Sequence, residues 1–194
     1  MTAIRLIVGL GNPGREYEGN RHNVGFWWVD ELARSQNVHL KSENKFYGAT
    51  VRGNVHGHEV FLLKPETFMN GSGRAVGALA QFYKMPPEEI MVVHDELDLS
   101  PGVVRLKKGG GHGGHNGIKD TIAHLGTKDF WRLRIGIGHP GERSAVSNYV
   151  LGDPRREDRE LIEEAMQKAL GVAHLIIEGK SDAAMLKLHS IEKE

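Results

Sequence analysis

Ile4-Arg5-Leu6-Ile7-Val8-Gly9-Leu10-Gly11-Asn12-Pro13-Gly14 opens with an apolar run and breaks into a glycine- and proline-rich turn. A short apolar run closed by turn residues reads as a buried strand. Working outward, a helix is predicted from about Asn20 to Ser35, carrying Phe26, Trp27, Trp28, Val29 and Leu32. Phe46–Val55 and Glu59–Leu63 read as strands of a hairpin around His56-Gly57-His58, followed by a helix from about Gly71 to Tyr83. Ile90–Val93 and Val103–Leu106 read as strands, Asn116–Leu125 as a helix and Arg132–Ile137 as a further strand. Asp153-Pro154 suits a helix start, and apolar residues from Leu161 to Ile176 keep a 3.6-residue period, predicting one long C-terminal helix over 154–179. Alternating strands and helices argue for a single α/β domain, a three-layer α/β/α globule over residues 1–194.

Composition narrows the chemistry. The chain has 194 residues, 25 Lys+Arg against 25 Asp+Glu, eleven His and no Cys. Its length suits one domain that buries roughly 70% of its extended surface and needs no staple. Without cysteine there is no disulfide framework, thiolate nucleophile, iron–sulfur cluster or Cys-based zinc site. No apolar run nears the ~20 residues of a membrane span, and the first residues read as a strand, so a cytoplasmic protein is expected.

Gly9, Gly11 and Gly14 match the dinucleotide pattern GxGxxG. That mechanism needs a helix starting at the third glycine and an acidic residue at a later strand end. Arg15-Glu16-Tyr17-Glu18-Gly19-Asn20 has no apolar face, and Asp30 falls within the first helix. No nucleotide cofactor is expected. Nor is there a GxSxG elbow or a Walker A motif. Activated water is then the simplest nucleophile, and it needs a base titrating near neutrality, for which histidine is suited.

His22 stands near the first strand's exit loop, and Asp95 lies just beyond Ile90–Val93. If both loops open at the same sheet edge, Asp95 could accept a proton from one imidazole nitrogen and leave the other facing water. A capping or surface histidine, and a loop-capping carboxylate, are the structural alternatives. Asn12, Asn70 and Asn116 lie at comparable strand-end or loop positions. Each could be a turn residue or cap, but together with a His–Asp pair their amides would suit hydrolysis of an acyl ester carrying a peptide bond. His94, Asp95, His112 and His115 could supply metal ligands, but so glycine-rich a loop cannot preset their geometry; no metal is expected.

The balanced charge is unevenly spread. From Ser100 to Arg143 eight basic residues face three acidic ones, a local +5 offset by −5 elsewhere. Lys107-Lys108 run into glycines whose N–H groups could approach phosphate, and Arg132 and Arg134 alternate onto one strand face. A solvated surface would look similar. With no aromatic interleaving and no helix-turn-helix, backbone and shape recognition of a nucleic acid fits better than base reading.

Six motifs occur in order: Gly9–Gly14, Arg21-His-Asn-Val-Gly25, Lys64-Pro-Glu-Thr-Phe-Met-Asn70, His94-Asp-Glu-Leu-Asp98, Gly109–Gly117 and Arg134-Ile-Gly-Ile-Gly-His-Pro-Gly141. From Ile4 to about His189 the chain closely resembles the bacterial-type peptidyl-tRNA hydrolase family. The resemblance implies a monomeric globule with a twisted mixed sheet, needing no cofactor, metal or membrane. It implies hydrolysis of the ester between a peptide and the 3′ ribose of tRNA. By motif position His22 would be the base that activates water, and Asp95 would orient His22. Asn12 and Asn70 would bind the peptide and polarise the carbonyl, Asn116 would position substrate or water, and Met69 would line the channel. Tyr17 and His115 would belong to the same substrate-binding set, Lys107 and Arg134 would clamp the tRNA 5′ phosphate, and Ser144–Leu151 would form a lid. A noncatalytic RNA-binding module and a different His/Asp/Asn ester hydrolase are the competing classes.

Overall fold

The computed structural model describes residues 2–190. Strand β1 (Leu6–Gly9) leads through 3-10 turns at Arg15–Tyr17 and Arg21–Asn23 into helix α1 (Val24–Ser35). Strands β2 (Lys41–Glu43), β3 (Gly48–Val55) and β4 (His58–Pro65) precede α2 (Ser72–Phe82) and β5 (Ile90–Glu96). Then come β6 (Val104–Lys108), α3 (Asn116–Leu125) and β7 (Trp131–Gly136). Helices α4 (Val146–Val150), α5 (Arg156–Leu170), α6 (Ala173–Ile177) and α7 (Ser181–Ser190) follow.

The strands form one sheet in the order β2-β3-β4-β1-β5-β7-β6. Its four central strands run parallel and its outer pairings are antiparallel, so the sheet is mixed. Alternation along β1 feeds two apolar layers. Ile7 belongs to the layer that holds Trp28, Leu32 and Met166, while Leu6 and Val8 belong to the layer that holds Val76, Leu79 and Ile118. Burial on both faces is why the opening run is continuously apolar. Residues of α1, α5, α6 and α7 fill the first layer, and residues of α2 and α3 fill the second. This is the expected three-layer arrangement.

The glycine pattern serves packing. A Cβ on Gly25 would lie 2.4 Å from the Val93 carbonyl oxygen and 2.5 Å from the Leu10 nitrogen, and one on Gly9 would lie 2.3 Å from the Gly25 carbonyl oxygen. Helix α1 therefore rests directly on the backbone of β1 and β5, and this brings the Arg21–Asn23 turn to their carboxyl ends. Gly14 (φ 111) precedes the Arg15–Tyr17 turn, with no helix to meet a pyrophosphate, and Asp30 is ion-paired to Lys64 at 2.8 Å.

Several boundaries differ from expectation. The first helix begins at Val24, because Arg21–Asn23 forms a 3-10 turn in which the Asn23 N–H bonds to the Asn20 carbonyl three residues back. Strand β5 runs on to Glu96, placing Asp95 inside the strand. The expected helix over 154–179 is broken at Gly171-Val172, where Val172 has ψ 4°. Both pieces bury their apolar residues in the same layer, so the period continues across the break. The polar edge strand β2 and the helix α7 were not anticipated.

Candidate active site

From β1 the chain goes to β4 on one side and later returns to β5 on the other. Such a switch point in an open α/β sheet opens a crevice at the carboxyl strand ends. Here it holds a cleft of about 820 Å³ lined by Asn12, Tyr17, His22, Met69, Asn70, Asp95, His115 and Asn116. All the residues expected to act on the ester or peptide thus share one cleft. Lys107 and Arg134 do not line it.

Asp95 is the hub. Its Oδ2 accepts from His22 Nδ1 and its Oδ1 from His115 Nε2, each at 2.8 Å, and the carboxylate is buried. The tautomers follow from the partners. His115 Nδ1 accepts from the backbone N–H groups of Gly117 and Ile118, capping α3, so its proton is on Nε2. His22 places its proton on Nδ1 toward Asp95 and leaves the Nε2 lone pair for the cleft. Burial disfavours the Asp95 anion, but His22 and His115 outweigh it and hold the carboxyl far below the usual range. Burial likewise opposes protonation of His22, yet the charge and hydrogen bond of Asp95 prevail and raise its pKa. This pair can accept a proton from water and hold it as an imidazolium beside a carboxylate.

His94 packs edge-on against His115, ring centroids 5.0 Å apart, and its Nδ1 donates to the Asp95 carbonyl. Burial first, then His115, pushes its pKa down to about 3. It is a neutral packing group.

Asn12 is held by Asn23, which was not anticipated as a site residue. Asn23 Oδ1 accepts from the Asn12 N–H at 2.7 Å, and Asn23 Nδ2 donates to the Asn12 carbonyl at 2.9 Å. Asn12 Oδ1 in turn accepts from the Met69 N–H at 2.6 Å. Among the described residues the Asn12 Nδ2 donor has no partner, so it is available to a ligand oxygen. Asn70 and Asn116 are exposed at the rim. Tyr17 and Phe68 meet edge-on at 6.1 Å beside them.

His22, Asp95 and His115 bring ligand atoms within 4.8 Å of one another. The donor set nevertheless suits hydrogen bonding better than a metal. Coordination at His115 Nε2 would move the proton to Nδ1 and face it against two backbone N–H donors. His112 turns into its own loop, accepting from the Gly114 N–H.

The cationic strands show both gain and loss. Arg105 lies opposite Arg134 and Lys107 opposite Arg132, so four cations share one face of β6 and β7. Arg132, expected to face phosphate, is buried instead and donates to the carbonyls of Gly110, Gly111 and Lys128. Burial and the nearby Arg134 lower its pKa. It shapes the glycine loop. Lys107 is exposed, and Arg134 is partly exposed against Glu96.

Within residues 144–151, Val146, Ser147, Val150 and Leu151 line the cleft. The far end of this segment is pinned by Arg21, also not anticipated, whose Nη1 donates to the carbonyls of Tyr149 and Gly152. Its guanidinium lies 3.8 Å from the Tyr149 ring centroid. The only sequence signal was a cluster of polar residues, Asn20-Arg21-His22-Asn23, at a strand-to-helix junction otherwise built for burial.

The family model described as peptidyl-tRNA hydrolase matches residues 6–194. The chain is 60% identical to a peptidyl-tRNA hydrolase of Methylobacillus flagellatus over the whole of both chains. It is 59% identical to that of Nitrosospira multiformis, covering 96% of this chain and 98% of the relative. The crystal structure of peptidyl-tRNA hydrolase from Acinetobacter baumannii superposes with a TM-score of 0.95 at 49% identity, covering 97% of this chain and 95% of that one. An α/β fold with a hydrogen-bonded His–Asp pair at its switch point and this match over the full length agree. The chain belongs to the peptidyl-tRNA hydrolase family. No helix among the described residues is long and apolar enough to cross a membrane.

Proposed function

We infer that the protein hydrolyses the ester joining a peptide to the 3′ ribose of tRNA. The observation that carries this reading is the His22–Asp95–His115 chain, which aims an unprotonated His22 nitrogen into the cleft. His22 Nε2 takes a proton from water as the water oxygen bonds to the ester carbonyl carbon. The Asn12 amide donates to the developing oxyanion. As the C–O bond to the ribose breaks, the imidazolium returns its proton to the 3′ oxygen, leaving tRNA and a peptide carboxylic acid that loses its remaining water-derived proton to solvent. Asn70, Asn116, Met69 and Tyr17 contact peptide and 3′ end, and His115 acts through Asp95. Lys107 and Arg134 hold the 5′ phosphate, and residues 144–151 close over the bound ester. We propose that the protein does so as a cytoplasmic monomer, with water as the only co-reactant and no metal or nucleotide cofactor.

Cleavage of peptidyl-tRNA, with His22→Asn run beside it, tests the assignment. Wild-type turnover with a loss of roughly 10²–10⁴ in kcat and little change in KM is expected. An unaffected kcat would remove His22 from the mechanism, and RNA binding without wild-type hydrolysis would favour a noncatalytic module. The amide-reading asparagines further imply that acetylated aminoacyl-tRNA is cleaved and free aminoacyl-tRNA is not; equal turnover would refute that selectivity.

A further inference from the structure

Glu96 sits at the end of β5, one residue beyond Asp95, and lines the cleft. Its Oε1 accepts from Arg134 Nε at 2.9 Å, and its Oε2 accepts from the Asp98 N–H at 3.2 Å. Both side chains of the ion pair are largely shielded, 21% exposed for Arg134 and 16% for Glu96. Neither the family's motif reading nor the hydrolytic chemistry gives Glu96 a task.

The register explains why one is needed. Arg134 is directly opposite Arg105 and shares its face with Lys107 and Arg132, an arrangement in which like charges repel. An unrestrained arginine there would swing outward, at an entropic cost to any ligand that must gather it back. Glu96 holds it by Nε alone. Among the described residues the two Nη groups have no hydrogen-bond partner, so they remain as a fork for a phosphate's two oxygens. The same carboxylate grips the Leu97-Asp98 turn, which lines the cleft. Only one carboxylate separates the phosphate-facing guanidinium from the wall of the reaction site.

We propose that Glu96 is a positioning residue that presents the Arg134 Nη fork to the tRNA 5′ phosphate and ties that site to the cleft wall. This rests on the reading of Arg134 as a phosphate ligand. A double-mutant cycle tests it, with KM and kcat measured for Glu96→Ala, Arg134→Ala and the double variant on 5′-phosphorylated and 5′-hydroxyl peptidyl-tRNA. Glu96→Ala is expected to raise KM for the phosphorylated substrate about tenfold and to erase most of the preference over the 5′-hydroxyl form. In the Arg134→Ala background the same change should raise KM less than about twofold. Glu96→Gln, which keeps an oxygen acceptor, should recover part of the preference. Additive effects in the cycle, or equal KM increases on both substrates, would overturn the proposal while leaving Arg134 as a ligand. If Arg134→Ala itself leaves the preference intact, the phosphate reading falls and this proposal with it.

Discussion

Asp95→Asn is isosteric, yet the hydrogen bonds around it predict more than loss of charge. In the protein both Asp95 oxygens accept, one from His22 Nδ1 and one from His115 Nε2. An amide has one acceptor and one donor end, so one histidine must change. His115 cannot, because its Nδ1 is committed to the Gly117 and Ile118 N–H groups and its Nε2 must keep the proton. The amide oxygen therefore turns to His115, and the amide NH₂ faces His22 Nδ1. That forces the His22 proton onto Nε2 and removes the lone pair that faces water. Inversion of a catalytic tautomer costs on the order of 10³–10⁴ in kcat, about 4–5.5 kcal/mol of barrier, with little effect on KM. Single-turnover hydrolysis gives the rate, and ¹⁵N NMR of the imidazoles gives the tautomer directly.

The same reasoning predicts partial recovery in Asp95→Asn/His115→Asn. Asparagine can still cap α3 but is too short to hold the amide oxygen, which can then turn back to His22. The double variant should exceed Asp95→Asn by at least about tenfold in kcat, within the range that a positioned base contributes. If Asp95→Asn keeps more than about a tenth of wild-type kcat, well above the loss expected for an inverted tautomer, the tautomer argument is wrong. A double variant slower than the single one would also refute it.

Acid-side activity should follow His22, whose raised pKa places the fall of kcat/KM above the ordinary histidine midpoint; in Asp95→Asn the residual profile should shift to lower pH, because burial alone then acts. His94, held near 3 while an unfolded histidine titrates near 6.5, takes up a proton on unfolding throughout that window, so it removes stability as pH falls. His94→Phe should therefore lose about 2 kcal/mol less between pH 7 and 5 in urea unfolding, and parallel curves would refute this. Gly25→Ala drives a Cβ against backbone atoms of Leu10 and Val93 that cannot yield; it should cost about 1–3 kcal/mol and reduce kcat by displacing the His22 turn. An unchanged Tm and kcat would show that α1 can move. Lys107→Ala should raise KM for full-length substrate and lower the slope of log affinity against log salt by about one, leaving Tm unchanged, whereas Arg132→Ala should lower Tm.

What could be read from the sequence was local. The Ile4–Val8 run was enough to place β1 in a buried sheet, and the helix expected over Asn116–Leu125 coincides with α3, which the structure caps with His115 and ends at left-handed Gly126. Strand β2 was hidden because Lys41-Ser42-Glu43 is a polar edge with no apolar alternation. The break at Gly171 was hidden because α5 and α6 bury the same side. Alternation put Arg132 and Arg134 on one face correctly, but only the folded loop reveals that Arg132 is consumed by three carbonyls while Arg134 keeps its Nη groups. The partners of Arg21 and Glu96 are distant in the chain, Tyr149 for one and Arg134 for the other, so no motif spacing could have announced them.

The sheet order adds a constraint that none of these residues carries alone. Reading across from the β6 edge, Lys107 and Arg134 stand on β6 and β7, Asp95 on β5, Asn12 just beyond β1, and Met69 and Asn70 beyond β4. The locally basic segment thus occupies one end of the sheet, while Asn12 and Asn70 lie toward the middle and the far side. A substrate with a polyanion on one side of an ester and an acyl chain on the other can satisfy this arrangement in only one direction. Under the proposed function this sets the phosphates over β6 and β7, the ester over β5 and β1, and the peptide toward β4. Strand β5 lies between β1 and β7, and its last two residues face the two tasks separately, Asp95 toward the imidazoles and Glu96 toward the arginine. The zero net charge of the whole chain therefore conceals a polarity built into strand order, and that polarity, more than the total charge, would orient a tRNA ester.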